Sequence, residues 1–163
     1  MSFDFDKLNV LVVEDIAPLR ELIGAVLKGF GIKNIHVAAN GKEAFELFQK
    51  NNHDIIITDW AMEPMDGIEL TKAVRNQEAS PNKTVPIIIV TGYNAWARVE
   101  TARDAGVTEF LIKPFTAADM AKRISHVITH PRDFIEVPDF FGPDRRRKQD
   151  TNYEGRLKRQ TDE

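Results

Sequence analysis

The chain repeats one unit five times before His130: a short run of β-branched or aromatic residues followed by an amphipathic stretch. The runs are Val10–Val13, Ile35–Ala38, Ile55–Thr58, Val85–Val90 and Phe110–Ile112, each short enough for a strand. The first, third and fourth are almost continuously apolar, the pattern of central parallel strands covered on both faces. Between them the apolar residues change to helical spacing. Leu19, Leu22, Ile23, Val26 and Leu27 form one stripe, stopped by Gly29 and Gly31. Ala44, Leu47 and Phe48 form a second behind Asn40 as N-cap, and Leu70 and Val74 a third behind Asp66-Gly67. A fourth helix is predicted from about Asn94 to Ala105, closed by Gly106. The fifth carries Met120, Ile124, Val127 and Ile128 and opens with the capping-box pattern Thr116-Ala117-Ala118-Asp119. Strand and helix in strict alternation require right-handed crossovers, and so an α/β domain with a parallel sheet.

With five strands the expected arrangement is a flavodoxin-like (βα)5 sheet of order 2-1-3-4-5. Its ligand site lies beyond the carboxyl ends of the strands, where the order reverses between strands 1 and 3. Strand 1 runs into Glu14-Asp15 and strand 3 into Asp59, so three carboxylates converge on one crevice. Like charges that close stay ionised only beside a cation, and hard oxygen ligands suit Mg2+ better than zinc. Strand 4 ends at Thr91, a hydroxyl donor, and strand 5 at Lys113-Pro114, an ammonium. Mg2+ and Lys113 together balance the three carboxylates. A phosphoryl group on Asp59 would replace one negative charge with roughly two, and Thr91 and Lys113 stand where they could donate to it. A single acidic residue at a strand end is more often a helix cap than part of a site. Here the set is spread over the ends of four different strands, which argues against coincidence.

Val13-Glu14-Asp15, Thr58-Asp59-Trp60-Ala61-Met62, Met65-Asp66-Gly67, Val90-Thr91-Gly92 and Lys113-Pro114-Phe115 together resemble the signature of response-regulator receiver domains over about Lys7 to His130. The resemblance implies a phosphorylation-dependent switch of a two-component or phosphorelay system. Asp59 would be the phosphoryl acceptor, with Mg2+ held by Glu14, Asp15, Asp59 and the backbone carbonyl of Ala61. Thr91 and Lys113 would bind the phosphoryl oxygens, and Phe110 stands at the family's aromatic switch position. The Lys113-Pro114 bond is expected to be cis. The implied partners are a sensor histidine kinase or histidine phosphotransfer protein and a downstream protein; phosphorylation-dependent dimerisation is left open. Such a domain catalyses its own phosphotransfer and dephosphorylation and is otherwise no enzyme. Trp96 falls on the predicted fourth helix, either near the readout surface or in the core.

Two positions modify the expectation. Ala61 and Tyr93 border the path of hydrolytic water in this family. Ala61 cannot orient that water and Tyr93 can shield the phosphoryl group, so slow autodephosphorylation is expected. Glu63-Pro64 follows Met62 where many relatives have proline directly, which predicts a slightly different loop and the same chemistry. His126 and His130 have i, i+4 spacing but no third ligand in view, so a solvated or capping role is favoured over a metal. His36 and His53 have no partner identifiable from sequence.

Rival functions fare worse. A pseudo-receiver would not need the full acidic set with Thr91 and Lys113. A phosphatase of the haloacid-dehalogenase type needs a second aspartate two residues after the first, where this chain has Ala61. A flavodoxin relative would place backbone donors and hydroxyls, not acids, after strand 1. No Gly-rich nucleotide loop is present. There are no cysteines for disulfides or thiolate metal sites, and a net charge of −3 gives no bulk attraction to nucleic acid or anionic lipid. Neither a membrane span nor a leader pattern is seen, so a cytoplasmic location is expected.

Composition shifts at His130-Pro131, dividing the chain into a receiver domain, 1–130, and a C-terminal extension, 131–163. The extension holds eight basic and eight acidic residues, with Phe140 and Phe141 among turn formers and Arg145-Arg146-Arg147-Lys148 behind them. A solvated terminus is one reading. A docking segment anchored by the two phenylalanines is the other. Acidic neighbours of the basic cluster weigh against nucleic acid.

Overall fold

The computed structural model describes residues 5–92, 99–137 and 140–144. After a 3-10 turn at Phe5–Lys7, strands and helices alternate: β1 Asn9–Val13, α1 Ala17–Gly29, β2 Asn34–Ala38, α2 Gly41–Asn51, β3 Ile55–Asp59, α3 Gly67–Asn76, β4 Ile87–Thr91, α4 Val99–Ala105, β5 Glu109–Ile112 and α5 Ala117–Thr129. The five strands form one parallel sheet of order β2-β1-β3-β4-β5, as the alternation predicts. Two further strands, β6 Phe134–Val137 and β7 Phe140–Pro143, pair antiparallel within the extension.

The period of two along each strand divides the core between the faces of the sheet. Val10, Val12, Ile55, Ile57, Ile88, Val90 and Leu111 face α1 and α5, meeting Ile23, Leu27, Met120, Ile124 and Val127. Leu11, Val13, Ile56 and Ile87 face α2 and α3 on the other side, against Ala44, Phe45, Phe48, Leu70 and Val74. A smaller cluster joins Ile89 to Trp60, Ile68, Ala102, Ala105 and Val107, with Phe110 packed against it. β1, β3 and β4 are buried almost throughout, whereas β2 is half exposed at the sheet edge.

The predicted caps form. The Asn40 side chain accepts from Glu43 N at 2.9 Å. Thr116 and Asp119 form a reciprocal capping box, as do Asp66 and Glu69. Gly31 takes φ +95° beyond α1, a conformation that suits glycine. The structure differs from expectation in two places. Leu22 is 59% exposed, so the α1 stripe is narrower than its spacing implied. β4 begins at Ile87 rather than Val85: Pro86 has no N–H for the ladder, although its carbonyl accepts from Ile56 N at 3.0 Å. The fourth helix is described only over Val99–Ala105, and Tyr93 and Trp96 lie outside the described residues. Among the described residues no helix is long and apolar enough to cross a membrane.

Glycine separates two packing situations. A Cβ on Gly67 would sit 2.3 Å from the Asp59 carbonyl oxygen, whereas one on Gly24 meets nothing within 4 Å. Gly67→Ala is therefore expected to lose about 1–3 kcal/mol through overpacking. Gly24→Ala is expected to gain up to about 1 kcal/mol through helix propensity. Urea titration of both variants checks the contrast; equal effects would refute it.

Candidate functional site

Parallel pairing sets the site. Val13 lies beside Thr58 across β1 and β3, and Asp59 beside Val90 across β3 and β4, so Glu14, Asp15 and Asp59 emerge together at the carboxyl edge. Oxygen atoms of these three side chains lie within 4.8 Å of one another. Glu14 N still pairs with Ala38 O at 3.0 Å, which extends the ladder one residue and holds the glutamate inside. Glu14 is 1% exposed and Asp59 is also buried; Asp15 stands open at the rim.

Lys113 comes from the far side. Its backbone N–H donates to Thr91 O at 2.7 Å, which ties the end of β5 to the end of β4. Its Nζ reaches Asp59 Oδ1 at 3.1 Å. Thr91 is buried at the end of β4 and Phe110 half-buried on β5. Ala61 is exposed two residues beyond Asp59. Every predicted site residue inside the described segments thus falls at the carboxyl edge or on β5; Tyr93 lies outside them.

The electrostatics follow from crowding. Burial, then the Asp59 charge, pushes the Glu14 carboxyl up to about 7. One Glu14 oxygen accepts from Ile16 N at 3.2 Å, while the other, Oε1, is buried with no hydrogen-bond partner. A buried acceptor without a donor, beside two more carboxylates and no softer ligand, fits a hard cation. Arg20 supports the shell from outside, donating Nη1 to the Glu14 carbonyl at 2.7 Å.

The loop after Asp59 is pinned at two points. Gly67 N donates to Trp60 O and Gly41 N to Met65 O, each at 2.8 Å. Neither glycine admits a side chain, since a Cβ on Gly41 would fall 2.6 Å from Met65 O and one on Gly67 would strike the Asp59 carbonyl. Neither contact was read from sequence, although Met65-Asp66-Gly67 stands among the motif residues. Between the pins Glu63-Pro64 is cis, as is Lys113-Pro114.

The histidines divide. His36 Nδ1 and His53 Nε2 share a hydrogen bond of 2.8 Å, and His53 stacks on Phe48, so these two residues are partners of each other. Burial, then the nearby His36, pulls His53 down to about 4, which keeps it neutral. His126 and His130 stack at the end of α5, and His130 is its C-cap.

Residues 10–125 match the family model for the response regulator receiver domain. The chain is 30% identical over 121 residues to chemotaxis protein CheY-3 of Vibrio cholerae, covering 74% of this chain and 92% of that one. It is 32% identical over 120 residues to chemotaxis protein CheY of Pseudomonas aeruginosa, covering 74% and 95%. Among solved structures, a putative response regulator from Chloroflexus aurantiacus superposes with a TM-score of 0.70 at 29% identity, over 76% of this chain and 98% of that one. Chemotaxis response regulator CheY4 of Vibrio cholerae gives 0.67 at 32% identity, over 74% and 98%. A parallel sheet of this order, an acidic crevice at its switch point and the match over residues 10–125 lead to one conclusion: the chain belongs to the response regulator receiver domain family, with a short C-terminal extension beyond the domain.

Proposed function

We propose that this chain is a phosphorylation switch whose acceptor is Asp59. The observation that carries the reading is the Lys113–Asp59 ion pair, 3.1 Å long, beside the buried and unpartnered Glu14 Oε1. A carboxylate oxygen of Asp59 attacks the phosphorus of a phosphohistidine on a sensor kinase or phosphotransfer protein. The new O–P bond forms as the N–P bond breaks, and the electron pair leaves on the imidazole nitrogen, which takes up a proton. Glu14, Asp15, Asp59 and the carbonyl of Ala61 would hold Mg2+, which when bound supplies positive charge against the transferring group. Lys113 and Thr91 then donate to the phosphoryl oxygens. Output passes by protein contact, through a shift of the β4–α4–β5–α5 side in which Phe110 takes part.

Incubation of the full chain with acetyl phosphate and Mg2+ is expected to add one phosphoryl group by intact mass, and Asp59→Asn is expected to take none. Equal modification of both proteins would overturn the assignment.

The raised Glu14 pKa predicts the pH dependence of cation binding. The folded chain binds a proton between the ordinary carboxylate value of 4.5 and about 7 that the unfolded chain has lost. Stability from this group is thus complete below 4.5 and is lost as pH rises through 7. A cation takes the place of that proton. The rise in Tm caused by Mg2+ is therefore expected to be small near about pH 5.5 and larger near about pH 8. A Mg2+ effect that is flat with pH, measured by calorimetry, would count against the metal set.

Ala61 carries no polar group to orient water, and we assign Tyr93, two residues after Thr91, to shielding the phosphoryl group. Slow self-dephosphorylation follows, and Tyr93→Ala is expected to shorten the phosphoryl lifetime several-fold. Rapid wild-type loss, unchanged in that variant, would contradict it.

A further inference from the structure

Arg75, on α3, is the largest fully buried side chain among the described residues, with 1% exposure. It holds the starts of β4 and β5. Nε donates to Gly106 O at 2.9 Å, Nη1 to Lys83 O at 2.8 Å and Val85 O at 2.7 Å, and Nη2 to Thr108 Oγ1 at 3.2 Å. These partners are all neutral, so the desolvated charge gains from any further group that faces it. The extension provides one: the Phe134 ring lies 4.9 Å from the guanidinium carbon.

The extension grips the same connection a second time. Arg132 donates Nη1 to Thr108 O at 3.0 Å and Nη2 to the Asp144 carbonyl, while Asp144 N donates to Asp133 O at 2.7 Å and closes the base of the hairpin. The Phe134 and Phe141 rings meet at 5.4 Å, and β7 lies against α3 and α4. Gly106–Thr108 is therefore held by Arg75 from inside the domain and by Arg132 from the extension. From Thr108 the chain runs directly into β5, which carries Phe110 and ends at Lys113. Phe110 packs on the cluster containing Ala105, Val107 and Trp60, the neighbour of Asp59. A packed path thus joins hairpin and acidic site.

We propose that the hairpin is an intramolecular strap on the α4–β5 connection. Its docking favours the arrangement of β5 in which Lys113 pairs with Asp59, and phosphorylation of Asp59 loosens it. The proposal rests on Asp59 as phosphoryl acceptor. Because coupling between two sites is reciprocal, weakening the strap raises phosphoryl occupancy.

The test compares the full chain with Phe134→Ala and Arg132→Gln, each given a sub-saturating level of acetyl phosphate with Mg2+. Intact mass reads occupancy, and hydrogen exchange reads residues 107–112 and 132–137. The ratio of phosphorylated to unphosphorylated protein is expected to rise about five-fold or more in both variants. Residues 107–112 should exchange faster in the variants, and residues 132–137 faster in the wild type once phosphorylated. Equal or lower occupancy in the variants, with all proteins phosphorylated, overturns the strap alone. No phosphoryl group on any protein overturns the reading of Asp59 and the strap with it.

Discussion

Everything in this molecule depends on bringing like charges together at one edge of a parallel sheet. Two carboxylates within 4.8 Å of a buried third repel each other strongly in a medium that screens poorly. The fold sustains them because the hydrogen-bond ladders of β1, β3 and β4 register their ends rigidly, and because Lys113 reaches in from β5. The unfavourable charge is left partly uncompensated: Glu14 holds a proton more tightly than an ordinary carboxyl does, and one of its oxygens has no donor. The core supplies the stability that tolerates this, with helices on both faces of strands that are apolar almost throughout.

The same division of labour explains what sequence could reveal. Strand order, helix caps and the acidic set were legible because each rests on a local signal: an apolar run, an Asn or Thr three residues before a carboxyl, an acid directly after a strand. Ile55–Thr58 is a case of the first, Asn40 and Thr116 of the second, and Asp59 of the third. Arg75 was invisible for the opposite reason. It follows Val74 on α3 as any surface arginine would, and its burial depends on carbonyls from residues 83, 85 and 106, which only the folded chain gathers. The His36–His53 pair is similar, since an edge strand and a loop meet there with no shared pattern in the chain. Leu22 erred the other way, satisfying the helical period while facing outward.

The extension shows what composition leaves out. Equal numbers of basic and acidic residues and several turn formers suggest a solvated terminus or a docking segment; among the described residues, Phe134–Val137 and Phe140–Pro143 pair as two strands. The determining groups are few. Phe134 and Phe141 supply apolar area, and Arg132 satisfies carbonyls at the hairpin base and at Thr108. In a stretch with so little hydrophobic content, contacts with a preformed surface replace the core it could not build by itself.

The two backbone pins on either side of residues 61–64 have a consequence of their own. Gly67 fastens the chain to Trp60 O and Gly41 fastens it to Met65 O, so the intervening residues are tethered at both ends to the beginnings of helices. What lies between is held at its ends by backbone groups, independently of its own side chains. Variation at the exposed positions Ala61, Glu63 and Pro64 can therefore change what the rim of the crevice presents, while the ends of the span stay fastened.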